Sequence, residues 1–418
     1  MSEKTKILVL ADHPFTPSGV GTQTKYFCEA LLNTGRYSIV CLGGAIKHED
    51  YQPMKTEEWG DDWVIFPVNG YGNQDHIRSM MRNHKPDLVW FMTDPRFWTW
   101  LWAIDNEIRI NAPMVYHHVW DNFPAPMFNK PYYDSNDKIV CISKVTHEIV
   151  KTVSPDVDSV YLPHAVNGEI FKPMPDSVKT DIRKNAMNID DDKMVFFWNN
   201  RNARRKQSGS VIFWFKQFLD KVGHDKATLL MHTDPHDGHG QNLIHIMEHL
   251  GLDNGQLFFS TAKLPPEKLA EIYNSADCTI NISDAEGFGL ATLESLSCGT
   301  PVIVNMTGGL QEQVTDGNNW FGIGIEPCSK AVIGSQDVPY IYEDRISDKD
   351  FVDALTKIYE MSEEEREALG AAGREHVLKN YNFENFNNDW VKVIDETIEK
   401  HGSWETRKNH NTYKFTEL

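Results

Sequence analysis

Short β-branched and aromatic runs alternate with longer helical stretches along most of this chain, and they do so in two separate series. KILVLA (6–11), YSIVCLG (37–43), DLVWFM (87–92), PMVYHH (113–118) and KIVCIS (138–143) form the first. MVFFWNN (194–200), ATLLMHT (227–233), LFFST (257–261), CTINIS (278–283) and PVIVN (301–305) form the second. Nearly continuous apolar strands separated by helices indicate parallel sheets covered on both faces. Two such series in 418 residues exceed one hydrophobic core and predict two domains. The Pro-, Gly- and Asn-rich segment YLPHAVNGEIFKPMPDS (161–177) is the expected hinge, and two doubly wound domains so joined would face one another across a cleft. The boundaries read as 1–172 and 173–385, with 386–418 a final helix and polar tail, loosely ordered after His401.

Bulk properties narrow the function. A formal net charge of −19 argues against a protein that coats nucleic acid or an anionic membrane. The six cysteines show no CxxC and read as reduced thiols, mostly small core residues. LVWFMTDPRFWTWLWAI is interrupted by Asp94, Pro95 and Arg96 and cannot cross a bilayer as one helix. No targeting segment is evident, so a soluble cytoplasmic chain without an integral membrane segment is expected.

The chemistry concentrates in SDAEGFGLATLESLSCGTPVIVN (283–305). A strand feeds the loop DAEGFG and then a helix that Gly299 and Pro301 terminate. The helix N-terminus offers N–H groups and partial positive charge suited to phosphate. Glu286 stands in the loop and Glu294 about one turn into the helix. Carboxylates on one side of a pocket accept from the vicinal hydroxyls of a sugar and a ribose.

EGFGLATLE, followed by SCGTPVIV and GGLQE, resembles the E-x7-E signature of retaining glycosyltransferases of family 4, which have the GT-B fold. Other stretches agree in order over residues 6 to 390. PSGVGTQTKYFCEAL resembles the N-terminal glycine loop and helix; YLPHAVNGEIFKP resembles the interdomain segment, with Ala165 and Asn167 where the pattern has Gly and Asp. FFWNNRNARRK resembles the strand that ends in Gly-Arg with a lysine five positions on; Asn200 replaces the glycine. The resemblance implies two Rossmann-like domains, the C-terminal one binding the nucleotide sugar, and a last helix returning to the N-domain. It assigns Arg201, Lys206, Gly19 and Gly21 to the donor diphosphate. Glu294 would take the ribose; Glu286 and the backbone of Gly287, Phe288, Gly289 and Leu290 the sugar. The loop from Thr261 to Leu264 would lie near the base. A histidine beside the reacting sugar falls within YHHVWDNFP, where His118 is expected, with His117 and Asp121 as neighbours.

The implied activity moves a sugar from a nucleoside diphosphate, uridine expected, to an acceptor hydroxyl with retention. It needs no cofactor and no metal, two cations replacing the ion. The acceptor stays open: a glycan, a protein, a small molecule or a hydroxylated DNA base, as in some phage enzymes. Sugar-nucleotide epimerisation and a nucleotide-sugar sensor are the other classes. Three further patterns read as incidental. HIMEH (245–249) matches a zinc-protease spacing without a third ligand, DVD (156–158) lies away from the nucleotide loops, and Trp98 with Trp102 reads as core. WFGIGIEPCSKAVIGSQDVPYIYEDRIS, from Trp320, exceeds the usual family connection and reads either as a lid or acceptor-side insertion or as surface elaboration.

Overall fold

A computed structural model describes residues 4–189, 192–408 and 410. It divides into two compact units, residues 1–165 with 383–418 and residues 166–382. The division thus falls seven residues before the position read from the sequence, and the chain re-enters the first unit three residues early.

The first unit is built on strands β1 (Thr5–Asp12), β2 (Tyr37–Gly44), β3 (Met54–Lys55), β4 (Trp63–Pro67), β5 (Leu88–Met92), β6 (Met114–His118), β7 (Lys138–Cys141) and β8 (Ser159–Tyr161). They form one sheet in the order β3-β4-β2-β1-β5-β6-β7-β8. Only the short β3 runs antiparallel to its neighbour. The helix Gly19–Leu32 starts where the Ser18 side chain accepts from the Gly21 amide, and its buried residues include Phe27, Cys28 and Leu31.

The last helix, Phe383–His401, belongs to this unit. Its Trp390 is fully buried, with its ring 4.8 Å from Phe27 and 4.9 Å from His117. The segment after it is not loose as far as Lys408. Arg407 donates to Asp137 at 2.8 Å and to the Arg109 carbonyl at 2.6 Å, because the buried Asp137 carboxylate needs cations around it. The rest of the predicted tail, residue 410 apart, lies outside the described residues.

The second unit holds β9 (Met194–Asn199), β10 (Ala227–His232), β11 (Leu257–Ser260), β12 (Cys278–Asn281), β13 (Val302–Asn305) and β14 (Ile323–Ile325). These six are parallel, in the order β11-β10-β9-β12-β13-β14. Phe196, Trp198, Phe215, Phe218 and Leu355 pack in its core. Strand order reverses between β9 and β12, the place where open α/β sheets leave a crevice at the strands' carboxyl ends. The long connection after β14 folds into an antiparallel hairpin, β15 (Ser329–Ile333) and β16 (Ile341–Arg345).

Trp98 and Trp102 are buried against Phe91, as core residues. Asp158 pairs with Lys138 and Lys400. His245 and His249 lie exposed on the helix Leu243–His249. No helix among the described residues is long and apolar enough to cross a membrane.

Three buried histidines make the first unit sensitive to acid. Burial pushes His118 and His164 down to about 3, and burial, with His164 and His118 nearby, holds His117 well below its usual range. The unfolded chain therefore binds protons that the folded one refuses. Stability present above about pH 6.5 is lost as pH falls, by about 2 kcal/mol at pH 5 for each group held near 3. Thermal unfolding should show a lower Tm at pH 5 than at pH 7.5, with a flatter pH dependence in His118→Gln.

Candidate functional site

The loops after β9 and β12, the two strands at the switch point, meet through backbone and side chains. Beyond β9 the chain forms a short turn, Arg204–Lys206. The Arg205 carbonyl accepts from the Asp284 amide at 2.8 Å, and the Arg205 guanidinium donates to the Ala285 carbonyl at 2.5 Å. Between these contacts lies an ion pair, Lys206 with Glu286. Both side chains are about nine-tenths covered, at 10% and 12% exposure. Burial alone would raise the Glu286 carboxyl, but Lys206 and Arg205 overcome it and hold the group below its usual range. Glu286 is therefore a carboxylate at neutral pH.

Residues Gly308 and Gly309 hold the Glu286 loop from behind. A Cβ on Gly308, whose φ is +50°, would sit 1.9 Å from the Glu286 carbonyl oxygen. The Gly309 amide donates to that same oxygen at 3.0 Å, and the Gln313 side chain to the Phe288 carbonyl at 2.7 Å. GGLQE is thus the backrest of EGFG. Phe288 is buried, with its ring 5.8 Å from that of Tyr381. Gly289, at φ +95°, takes the N-cap position of the helix Leu290–Ser297 with no side-chain cap.

Glu294 faces a different neighbour. The Tyr273 hydroxyl donates to it at 2.8 Å and in turn accepts from Asn199, the last residue of β9, at 2.8 Å. Burial raises the Glu294 carboxyl to about 7, the Tyr273 hydrogen bond working against it. The two glutamates are therefore electrically unlike: one charged by its lysine, the other poised near neutrality.

The remaining sequence-derived residues fall in several places. Arg201 does not share a partner with Lys206. It is exposed and held by Asp237 at 2.6 Å and by His239 at 2.7 Å. Thr261 is exposed just past β11. In the first unit, Gly19 and Gly21 open the helix after β1, and a Cβ on Gly21 would meet the Thr16 carbonyl oxygen at 2.7 Å. His118 does not lie open at a strand end. It is fully buried, one ring nitrogen 2.6 Å from the Tyr133 hydroxyl and the other 3.1 Å from that of Tyr116. His117, on the opposite face of β6, is also buried, among Trp90, His164 and Trp390. Asp121 is half-buried in the following loop. Tyr273, Asp284 and Arg205 escaped the sequence reading. Only the position of Arg205 beside Lys206 could have marked it, since the tyrosine sits in an ordinary amphipathic helix.

Residues 179–376, all within the second unit, match the family described as Glycosyl transferases group 1. The D-inositol 3-phosphate glycosyltransferase of Acidothermus cellulolyticus is 43% identical over 83 residues, 20% of this chain and 18% of that protein. Its counterpart from Mycolicibacterium smegmatis is 30% identical over 140 residues, 33% of this chain and 26% of the relative. The chain thus spans about a fifth to a quarter of these relatives' length. Whole-chain likeness is structural. Sucrose-phosphate synthase from Thermosynechococcus elongatus superposes with a TM-score of 0.76 at 16% identity, covering 95% of this chain and 100% of that one. Anabaena HepE in complex with UDP and glucose gives 0.69 at 13% identity, covering 94% and 100%. The fold is the two-domain α/β GT-B fold.

Substituting Gly308 tests the backrest directly. Gly308→Ala brings a strained φ and a backbone clash, and should lower stability by about 1–3 kcal/mol in urea unfolding.

Proposed function

We propose that this chain is a retaining glycosyltransferase that takes a sugar from a nucleoside diphosphate sugar, uridine-linked, and passes it to an acceptor hydroxyl. The observation that carries this reading is the Lys206–Glu286 pair, set between the switch-point loops beside the helix that Gly289 opens. The group 1 match over residues 179–376 and the likeness to a fold neighbour described with UDP and glucose support it.

In this reading each group has one task. The Glu286 carboxylate accepts from donor-sugar hydroxyls, and the amides opening the helix Leu290–Ser297 face negative charge. Glu294, when ionised, accepts from the ribose diol while Tyr273 fixes its orientation. Lys206 and Arg201 neutralise the departing diphosphate, the work a metal ion would otherwise do. Arg201 must then exchange Asp237 for phosphate. Catalysis rests on positioning and on stabilising leaving-group charge.

A thermal-shift screen of uridine, guanosine and adenosine diphosphate sugars tests the donor. UDP-sugars should raise the Tm of the wild type and leave that of Lys206→Met unmoved; no shift with any of them would end the reading. A second measurement concerns Glu294, whose ionised form is the acceptor. UDP affinity should fall below about pH 7 more steeply in the wild type than in Glu294→Gln. At pH 8 the variant should bind about 10- to 100-fold more weakly by calorimetry, as loss of a hydrogen bond to a charged group implies.

A further inference from the structure

The hairpin β15–β16 is the part of the second unit that the family pattern leaves unexplained. Its outer strand is open to solvent, Val332 being 71% exposed, yet its inner strand carries a carboxylate, Glu343, that is 4% exposed. A carboxylate that deep needs cations. Glu343 takes both terminal nitrogens of Arg204, each at 2.7 Å, and lies 3.4 Å from Arg345. Arg345 in turn pairs with Asp284 at 3.0 Å. Asp284 accepts from Gln207 at 2.5 Å, and Gln207 directly follows the turn Arg204–Lys206.

The contacts therefore close on themselves, from Arg204 through Glu343, Arg345 and Asp284 to Gln207 and back along the turn. Lys206 lies inside that circuit, between Arg204 and Gln207. Glu286 follows Asp284 by two residues. Asp344 extends the anchorage: its amide donates to the Asp284 carbonyl at 2.9 Å, its carboxylate accepts from Thr307 at 2.8 Å, and its carbonyl from Asn305 at 3.1 Å. One inserted strand thus fastens the loops that follow β9, β12 and β13.

We propose that Glu343 and Arg345 are positioning residues, and that the inserted hairpin sets the separation of Lys206 from Glu286 and so the register between the donor's diphosphate and its sugar. The inference rests on the donor reading above. Among the described residues no hydrogen bond or ion pair joins Tyr273 or Glu294 to the circuit, their side-chain partners being Asn199 and each other, so the nucleoside end of the donor is held independently. Loosening the circuit leaves Lys206 able to meet a diphosphate but not at a fixed distance from Glu286, so it should blunt recognition of the sugar more than recognition of the nucleotide.

Calorimetric titration of UDP-glucose and of UDP, on the full chain, reads this directly. Glu343→Gln and Arg345→Met should each weaken UDP-glucose about 10- to 100-fold while changing UDP less than about threefold, the range that displaced positioning groups give. The double variant should lose little beyond the worse single one, as members of one network do. Arg345→Lys keeps the charge but offers one nitrogen where the guanidinium uses two, and should fall between the wild type and Arg345→Met. That graded order, read in UDP-glucose and not in UDP, keeps the test decisive if Glu343→Gln fails to fold. A merely structural role would weaken both ligands alike; that result, or UDP-glucose binding unchanged in both single variants, overturns the proposal. If wild-type protein binds neither ligand, the donor reading falls first and this inference with it.

Discussion

An ammonium and a carboxylate, both nearly covered, hold the candidate site together. Lys206 and Glu286 come from loops eighty positions apart, and each offsets the cost of the other's burial, with Arg205 also near the carboxylate. Removing one partner of such a pair leaves an uncompensated charge and costs about 3–5 kcal/mol, far more than the intact pair contributes over apolar packing. What it secures is geometry. The Arg205 guanidinium on the Ala285 carbonyl, the Arg205 carbonyl on the Asp284 amide, and the close approach of Gly308 and Gly309 behind Glu286 are arranged around it.

The fold was legible where local pattern and tertiary role coincide. All ten strands read from the sequence correspond to parallel strands of the two larger sheets, because mostly buried parallel strands require nearly unbroken apolar runs. Three of the missed strands depart from that pattern for physical reasons. β4 alternates buried and half-buried residues before Pro67, β8 has three half-buried residues, and β16 reads IYEDR, charged because its side chains serve ion pairs. No hydrophobic period can reveal such a strand.

For the site, residue types were easier to read than partnerships. Glu286, Glu294 and Lys206 stood out through motif spacing, yet spacing could not say that the lysine would neutralise one glutamate while a tyrosine orients the other. Arg201 and Lys206 looked like two members of one cationic clasp; the structure gives them different carboxylates, Asp237 and Glu286. His118 shows the opposite failure. The resemblance sets a histidine beside the reacting sugar, but Tyr116 and Tyr133 supply hydroxyls that let this ring sit in the interior. Burial of a polar group depends on distant partners, and a one-dimensional pattern does not carry them.

The first unit is discontinuous in the chain: its sheet comes from residues 1–165, and Trp390, against Phe27 and His117, from a helix more than two hundred residues later. During synthesis the sheet emerges with that apolar face uncovered. The second unit, contiguous from 166 to 382, can close before the missing helix leaves the ribosome. Order of completion is thus the reverse of order of translation. For that interval the nascent chain carries an exposed aromatic surface, the kind of patch that chaperones recognise and that aggregation exploits.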